Sequence, residues 1–342
     1  MFLQLFSVQK RSFCLAASII SSFIVFNSCG KYPTLKHDES SSEKIIPLAA
    51  SSAEITGTGY VPLYLTGNYK QKNVDFEIKE TLVDINAGYK YRAITYDGNF
   101  PAKTITVEQG TLVRIKIVNQ LESEHSLHTH VIKYKPESDG TKSSATAAKG
   151  TRYYFWEVTS ETPAGYYPFH DHGGPGEGAQ SRGLVGMVHV VKPGELNTPS
   201  FGVLLHDVDA NYLFSMNGTP VTSNGGAGHA GGHGGASNGA ATEIPAHLIN
   251  GKFGMQQENM FELLQGSTIP IGIVNLGENI HNFHPHGNFF TEENGRINDT
   301  LALQPGEFRT VLLKGETKGE WMYHCHVPGH PEGGMWSRYV VK

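Results

Sequence analysis

Gly319 to Trp336 reads G-E-W-M-Y-H-C-H-V-P-G-H-P-E-G-G-M-W and sets His324, Cys325, His326, His330 and Met335 in one short stretch. A cysteine, a histidine five residues later and a methionine five beyond that are the ligand set of a blue-copper centre. Imidazoles and a thiolate make the trigonal plane of such a centre, and a weak thioether sits on the axis. Tyr323 to Val327 is expected to run as a strand, whose alternate side chains face opposite ways. Cys325 then points to one side, and His324 and His326 to the other. An electron reaching Cys325 has a covalent path through its histidine neighbours to a second metal site.

Ten of the seventeen histidines fall into four motifs. These are His128-Thr129-His130, His170-Asp171-His172, His281-Asn282-Phe283-His284-Pro285-His286, and the opening stretch. In an extended chain, pairs two apart present both rings to one face, whereas His281, three before His284, faces the other way. Parity therefore groups His281 with Cys325, His330 and Met335 as one copper site and leaves eight histidines. Eight neutral imidazoles suit three further coppers, bound as three, three and two.

The chain repeats itself. Q-G-T-L-V-R-I-K-I-V-N at 109–119 returns as Q-G-S-T-I-P-I-G-I-V-N at 265–275, an offset of 156 that also carries His128 to His284 and His130 to His286. An offset of 154 carries His170-Asp171-His172 to His324-Cys325-His326. Asp97-Gly98-Asn99-Phe100 is echoed by Asn250-Gly251-Lys252-Phe253. Thr104 to Val118 alternates as strand, glycine turn, strand, and Phe261 to Val274 does the same. Two copies of one all-β module follow, joined near Lys192-Pro193-Gly194. Pro270 in the second copy predicts an edge or bulge position.

The 342 residues suffice for two domains, and 39% hydrophobic residues with 40 glycines suit many short strands and turns. Residues 1–28 read as a signal peptide, with Lys10 and Arg11 before an apolar run from Phe13 to Phe26. Losing those two positive charges takes the net charge from −5 to −7, which argues against a nucleic-acid partner. Phe26-Asn27-Ser28-Cys29 resembles a loose lipobox, so Cys29 is expected to carry a lipid anchor on an exported, periplasmic or cell-envelope protein. Of three cysteines, only Cys325 lies in the body of the chain, which excludes an internal disulfide there. Residues 29–60 read as a flexible tether, 61–193 and 194–342 as the two modules, and 223–241 as a flexible Gly/His-rich loop.

The four motifs resemble those of the multicopper oxidases, most closely the small two-domain laccases, over roughly residues 75–342. Ser138-Asp139-Gly140-Thr141, Gly165-Tyr166-Tyr167 and Trp321-Met322-Tyr323-His324 belong to the same resemblance. It implies two tandem cupredoxin-like Greek-key domains and four coppers. His281, Cys325, His330 and Met335 would hold the type 1 copper. His128 and His284 would hold the type 2 copper, and His130, His170, His172, His286, His324 and His326 the type 3 pair. The resemblance implies oxidation of a small donor, one electron at a time, with O₂ reduced to water, Cys325 passing electrons through His324 and His326. Tyr134 would stand beside the cluster as a redox partner and Asp139 would deliver protons. A head-to-tail homotrimer would share each cluster between neighbouring chains.

The chain departs from the pattern at Val131, where glycine is usual, and at Asn282 and Pro285. Asp171 occupies the place of Cys325 and cannot supply a thiolate, so the first module should lack a type 1 copper. That argues against a copper nitrite reductase, which would need its cysteine there. A copper-buffering protein and a cuprous or ferrous ion oxidase are the other rival readings; the sequence does not fix the donor. His125, His189, His206 and His247 match no motif and are assigned structural or surface roles.

Overall fold

The computed structural model describes residues 59–86, 88–172, 178–221 and 247–342. The signal peptide, nearly all of the tether, and the Gly/His-rich loop lie outside them. Strand propensity and alternation explain the elements. In Thr111–Asn119, Val113, Ile115 and Ile117 are fully buried while Arg114 and Lys116 point outward. Each such inward side chain contributes roughly 1.5–3 kcal/mol by leaving water.

The chain is all-β and cupredoxin-like, built as four sheets. One orders its strands Leu213–Ser215, Tyr89–Tyr96, Lys70–Asn86, Thr111–Asn119 and Thr151–Val158; it packs on a sheet ordered Ile105–Glu108, Val185–Val191, Gly165–His170 and His128–Thr129. The second module repeats the plan. Its first sheet runs His247–Ile249, Phe201–Asp207, Thr268–Asn275, Phe308–Lys314, Phe290–Thr291 and Ile297–Asn298. Its second runs Phe261–Leu263, Trp336–Val341, Gly319–His324, His281–Pro285 and Leu301–Leu303. In both modules the strand before the glycine turn and the strand after it join different sheets, so the turn at Gly110 or Gly266 is a crossing between layers.

A third apolar cluster, including Tyr91, Phe100, Tyr166, Met187, Leu204 and Leu248, fills the seam between the modules. Leu213–Ser215, beyond the sequence-based join, adds a strand to the first module's sheet by pairing with Tyr89–Tyr91. The repeated turns match in backbone: Asp97 and Gly98 have φ of 60° and 74°, Asn250 and Gly251 have 49° and 74°. Pairing with Phe201–Asp207 begins only at Ile271, so Pro270 sits where that side of its strand has no neighbour. Tyr60, placed at the end of the tether by sequence, is instead docked. Its ring stacks on Phe155 at 4.0 Å, and its hydroxyl donates to the buried carboxylate of Glu157.

Candidate metal centres

The strand expected over Tyr323 to Val327 is Gly319–His324 and stops before Cys325, because the chain turns there into the loop that carries His330. The alternation survives the turn. Cys325 is buried, while His324 is half-buried and His326 exposed. His281 likewise points inward, and His284 and His286 point away from the core.

Three elements build the inward site. His281 comes from the start of its strand, Cys325 from the end of Gly319–His324, and His330 and Met335 from the loop between that strand and the last. His281 Nδ1 and His330 Nδ1 are 3.0 Å apart, and Cys325 Sγ lies 3.4 Å from His330 Nδ1 and 3.8 Å from His281 Nδ1. Met335 is buried beside them, its carbonyl accepting from Cys325 N at 3.0 Å. Burial, helped by His247 and His281, lowers His330 to about 4, and burial raises the Cys325 thiol. Two imidazoles and a soft sulfur converging on one point are a donor set that fits copper, and a bound metal ion would displace the thiol proton.

His247 and Asp207 belong to this site, and the sequence reading missed both. Antiparallel pairing places His247 opposite Asp207. Asp207 Oδ1 receives His247 Nδ1 at 2.6 Å, and the same carboxylate lies 3.2–3.3 Å from His281 Nε2. Burial opposes the charge of Asp207, but hydrogen bonds from His247 and His281 outweigh it and hold the carboxyl well below its ordinary range. A side chain at Gly277 would strike Asp207 Oδ2, its Cβ falling 2.5 Å away, so glycine permits this approach. His247, His281 and His330 bring ring nitrogens within 4.8 Å of one another.

The other eight histidines form two quartets of like geometry. In the first module His128 pairs across strands with His170, and in the second His284 pairs with His324. Ring centroids lie 4.6–5.7 Å apart in contacts among His128, His130, His170 and His172. They lie 4.9–5.6 Å apart among His284, His286, His324 and His326. His130 Nε2 faces His170 Nε2 at 3.1 Å, and His286 Nε2 faces His324 Nε2 at 3.0 Å. His128 Nδ1 donates to Asp139 O at 2.6 Å and His284 Nδ1 to Asp299 O at 2.7 Å, which leaves each Nε2 free to ligate. Gly140, with φ of 77°, lets its loop press on Leu127 so that Asp139 O reaches His128. Burial, then the neighbouring histidines, lowers His130 to about 4 and His170 to about 3, so both rings are held neutral. No ring contact or hydrogen bond among the described residues joins one quartet to the other; His130 instead meets Phe308 at 5.8 Å.

Tyr134 lies 5.9 Å from the ring of His128. Burial, then a hydrogen bond to Asp139, pushes its hydroxyl up to about 12. Asp139 Oδ1 is 3.6 Å from His128 Nδ1. Tyr134, Asp139 and His128 are therefore one group. Of the histidines assigned structural roles, His189 stacks on Tyr166 at 4.0 Å and His206 is fully buried, its Nε2 donating to Gln180 O.

Two family models described as "Multicopper oxidase" match residues 77–195 and 233–342. A "Probable nitrite reductase-hydroxylamine oxidoreductase fusion protein" of Kuenenia stuttgartiensis is 26% identical over 298 residues, covering 81% of this chain and 32% of its own length. Ceruloplasmin of Ovis aries is 26% identical over 250 residues, 68% of this chain and 22% of its own length. The chain thus spans less than a third of the length of these two relatives. Among solved structures, a blue copper oxidase from Nitrosomonas europaea superposes with a TM-score of 0.61 at 20% identity, covering 80% of this chain and 86% of that one. A copper nitrite reductase from the same organism reaches 0.61 at 17% identity, covering 80% and 94%. At those identities the structural likeness establishes the cupredoxin fold alone. Two β modules carrying these histidine motifs define a two-domain copper oxidoreductase, and the chain belongs to the multicopper oxidase family.

Proposed function

We propose that the protein is a laccase-like oxidase, coupling four one-electron oxidations of a small phenolic, aromatic or metal-ion donor to reduction of O₂ to water. The observation that carries this reading is covalent: Cys325 of the inward site lies between His324 and His326 of the second quartet. Bound copper supplies the one-electron chemistry. His281, Cys325, His330 and Met335 hold the type 1 ion, His128 and His284 the type 2 ion, and the other six histidines the type 3 pair. Asp207 orients His281 through its outer nitrogen, as carboxylates do for metal-bound imidazoles. Tyr134 and Asp139, beside His128, supply electrons or protons to the oxygen being reduced.

Each quartet offers half of the ligands for three ions, and the lack of any contact between the quartets among the described residues supports a second copy of the chain as the source of the facing half. A head-to-tail contact that closes gives a ring, and a homotrimer is the form proposed. We place it in the cell envelope, anchored through an acylated Cys29.

Absorption of the copper-loaded protein, with oxygen uptake followed in the same cuvette, tests the reading. A thiolate-to-copper blue band, the near-ultraviolet shoulder of a bridged copper pair, and uptake with a phenolic donor support it. A blue band without shoulder or uptake overturns it in favour of a copper carrier. Nitrite consumption with no oxygen uptake would favour the activity for which the Kuenenia relative is named; Asp171, standing where that reading needs a cysteine, argues against it.

A further inference from the structure

The first module keeps the outline of the second module's copper pocket without its sulfur. His125 precedes His128 by three residues as His281 precedes His284, and Asp171 lies between two histidines as Cys325 does. The correspondence holds atom by atom. Asn282 N donates to Cys325 Sγ at 3.2 Å, and Ser126 N, at the same repeat position, donates to Asp171 Oδ1 at 2.5 Å. His281 Nδ1 lies 3.8 Å from Cys325 Sγ, and His125 Nδ1 lies 3.2 Å from Asp171 Oδ2.

This pocket is closed by protein groups. His125, Ser126 and Asp171 are all buried. Ser123 Oγ lies 2.8 Å from His125 Nε2, so both ring nitrogens of His125 are engaged. Ser126 Oγ donates to Asp171 Oδ1 at 3.0 Å and accepts from His172 N at 2.9 Å. With both imidazole nitrogens satisfied and no thiolate, the pocket is a hydrogen-bonded counterpart of a metal site.

Its place in the chain gives it a task. Asp171 sits between His170 and His172, and His125 and Ser126 lead into His128 and His130. The ladder between these strands is short: two residue pairs, His128↔His170 and Thr129↔Phe169, with Pro168 O accepting from Thr129 Oγ1 at 3.1 Å and from His130 N at 3.4 Å. The carboxylate adds three further ties across the same joint. In the second module that joint is spanned by the inward site, where His281 and Cys325 would share one ion. We infer that Asp171 is a positioning residue for the oxygen-reducing cluster. Its buried carboxylate does in the first module what the shared copper does in the second, holding His128 and His130 in register with His170 and His172. The inference rests on the proposed role of the two quartets.

The test uses full-length protein loaded with copper, with metal content, the blue band and the near-ultraviolet shoulder measured together. Cys325 sits in the other module's core, so its blue band reports that the second module has folded, and far-ultraviolet circular dichroism matching wild type reports the first. Asp171→Asn keeps the shape but puts an amide N–H where an acceptor is needed. It should keep the blue band, lose the shoulder and fall from four coppers per chain toward one. Ser126→Ala removes only the hydroxyl linking Asp171 to His172. It should keep the blue band and weaken copper binding behind the shoulder by roughly 10–100-fold, the usual effect of losing a group that orients a ligand. Should Asp171→Asn fail to fold and lose both bands, Ser126→Ala decides. A wild-type shoulder and copper affinity in Ser126→Ala overturn the inference. If the wild-type protein itself shows no shoulder, it is the reading of the eight histidines that fails.

Discussion

The imidazole of His247 lies flat on that of His330, with centroids 3.9 Å apart and planes 19° from parallel. His330 reaches the inward site through Nδ1, and His247 covers one face of its ring, a cover that a donor would have to pass under the proposed function. Asp207 ties this cover to the other imidazole, His281. Asp207→Ala should therefore loosen both rings at once. We expect copper affinity at this site to drop roughly 10–100-fold, read as loss of the blue band at limiting copper while the near-ultraviolet shoulder remains. His247→Ala leaves all four donors in place. It should retain the blue band, shift its potential and raise the rate with bulky donors; unchanged potential and rates would make His247 a bystander.

Val131 holds φ of 66° although it is β-branched, and Ile132 N reaches back to His130 O at 2.7 Å to close a γ-turn around it. The repeat position in the second module is Gly287, with φ of 71°. The left-handed backbone costs an ordinary L-residue about 1–2 kcal/mol, and glycine's greater freedom when unfolded returns roughly 0.5–1 kcal/mol of that. Val131→Gly should thus raise the unfolding free energy by roughly 0.5–1 kcal/mol. A denaturant midpoint that falls would show that Val131, 46% exposed, gains more from its contacts than it loses in its backbone.

His189 gives a pH prediction away from the metal ligands. Burial against Tyr166 lowers it to about 4, whereas an unfolded histidine titrates near about 6.5. Between those values the unfolded chain binds a proton that the folded chain does not, so stability rises with pH across the window. The contribution is complete above about pH 6.5 and lost as pH falls through about 4. His189→Phe keeps a ring stacked on Tyr166 and removes the proton, so the metal-free protein should lose stability less steeply over that range. An identical slope in chemical denaturation would assign the acid sensitivity to other groups.

Much of this was legible because it is local. Strand parity separated His281 and Cys325 from the paired histidines, and the offset of 156 located the second quartet from the first. Parity even survived the end of the strand at His324, since the turn keeps Cys325 inward. His247 and Asp207 were not legible, because only a cross-strand pairing forty residues apart unites them and neither belongs to a ligand motif. His125 was in principle visible, standing at the same offset from His281. Its partner is a carboxylate, so the chemistry of the pocket changed while its geometry stayed, and the structural role assigned to His125 agrees with its buried, hydrogen-bonded ring. The docking of Tyr60 depends on Glu157, a buried acid in a distant strand that no pattern near residue 60 announces.

Asp139 makes two different contacts with His128, and they can be separated. Its backbone carbonyl accepts from His128 Nδ1 at 2.6 Å and fixes the ring, while its carboxylate lies 3.6 Å from the same nitrogen and faces Tyr134. Asp139→Asn preserves the backbone contact and removes only the acid. Copper content and both absorption features should therefore match wild type, and reduction of the blue centre by a donor under anaerobic conditions should keep its rate. Steady-state oxygen uptake should fall by roughly 10²–10⁴-fold, the range for losing a positioned proton donor. Tyr134→Phe, which removes the hydroxyl but no carboxylate, should leave copper intact and slow uptake far less. If Asp139→Asn turns over at the wild-type rate, protons reach the cluster by another route, and the carboxylate serves only to hold the Tyr134 hydroxyl.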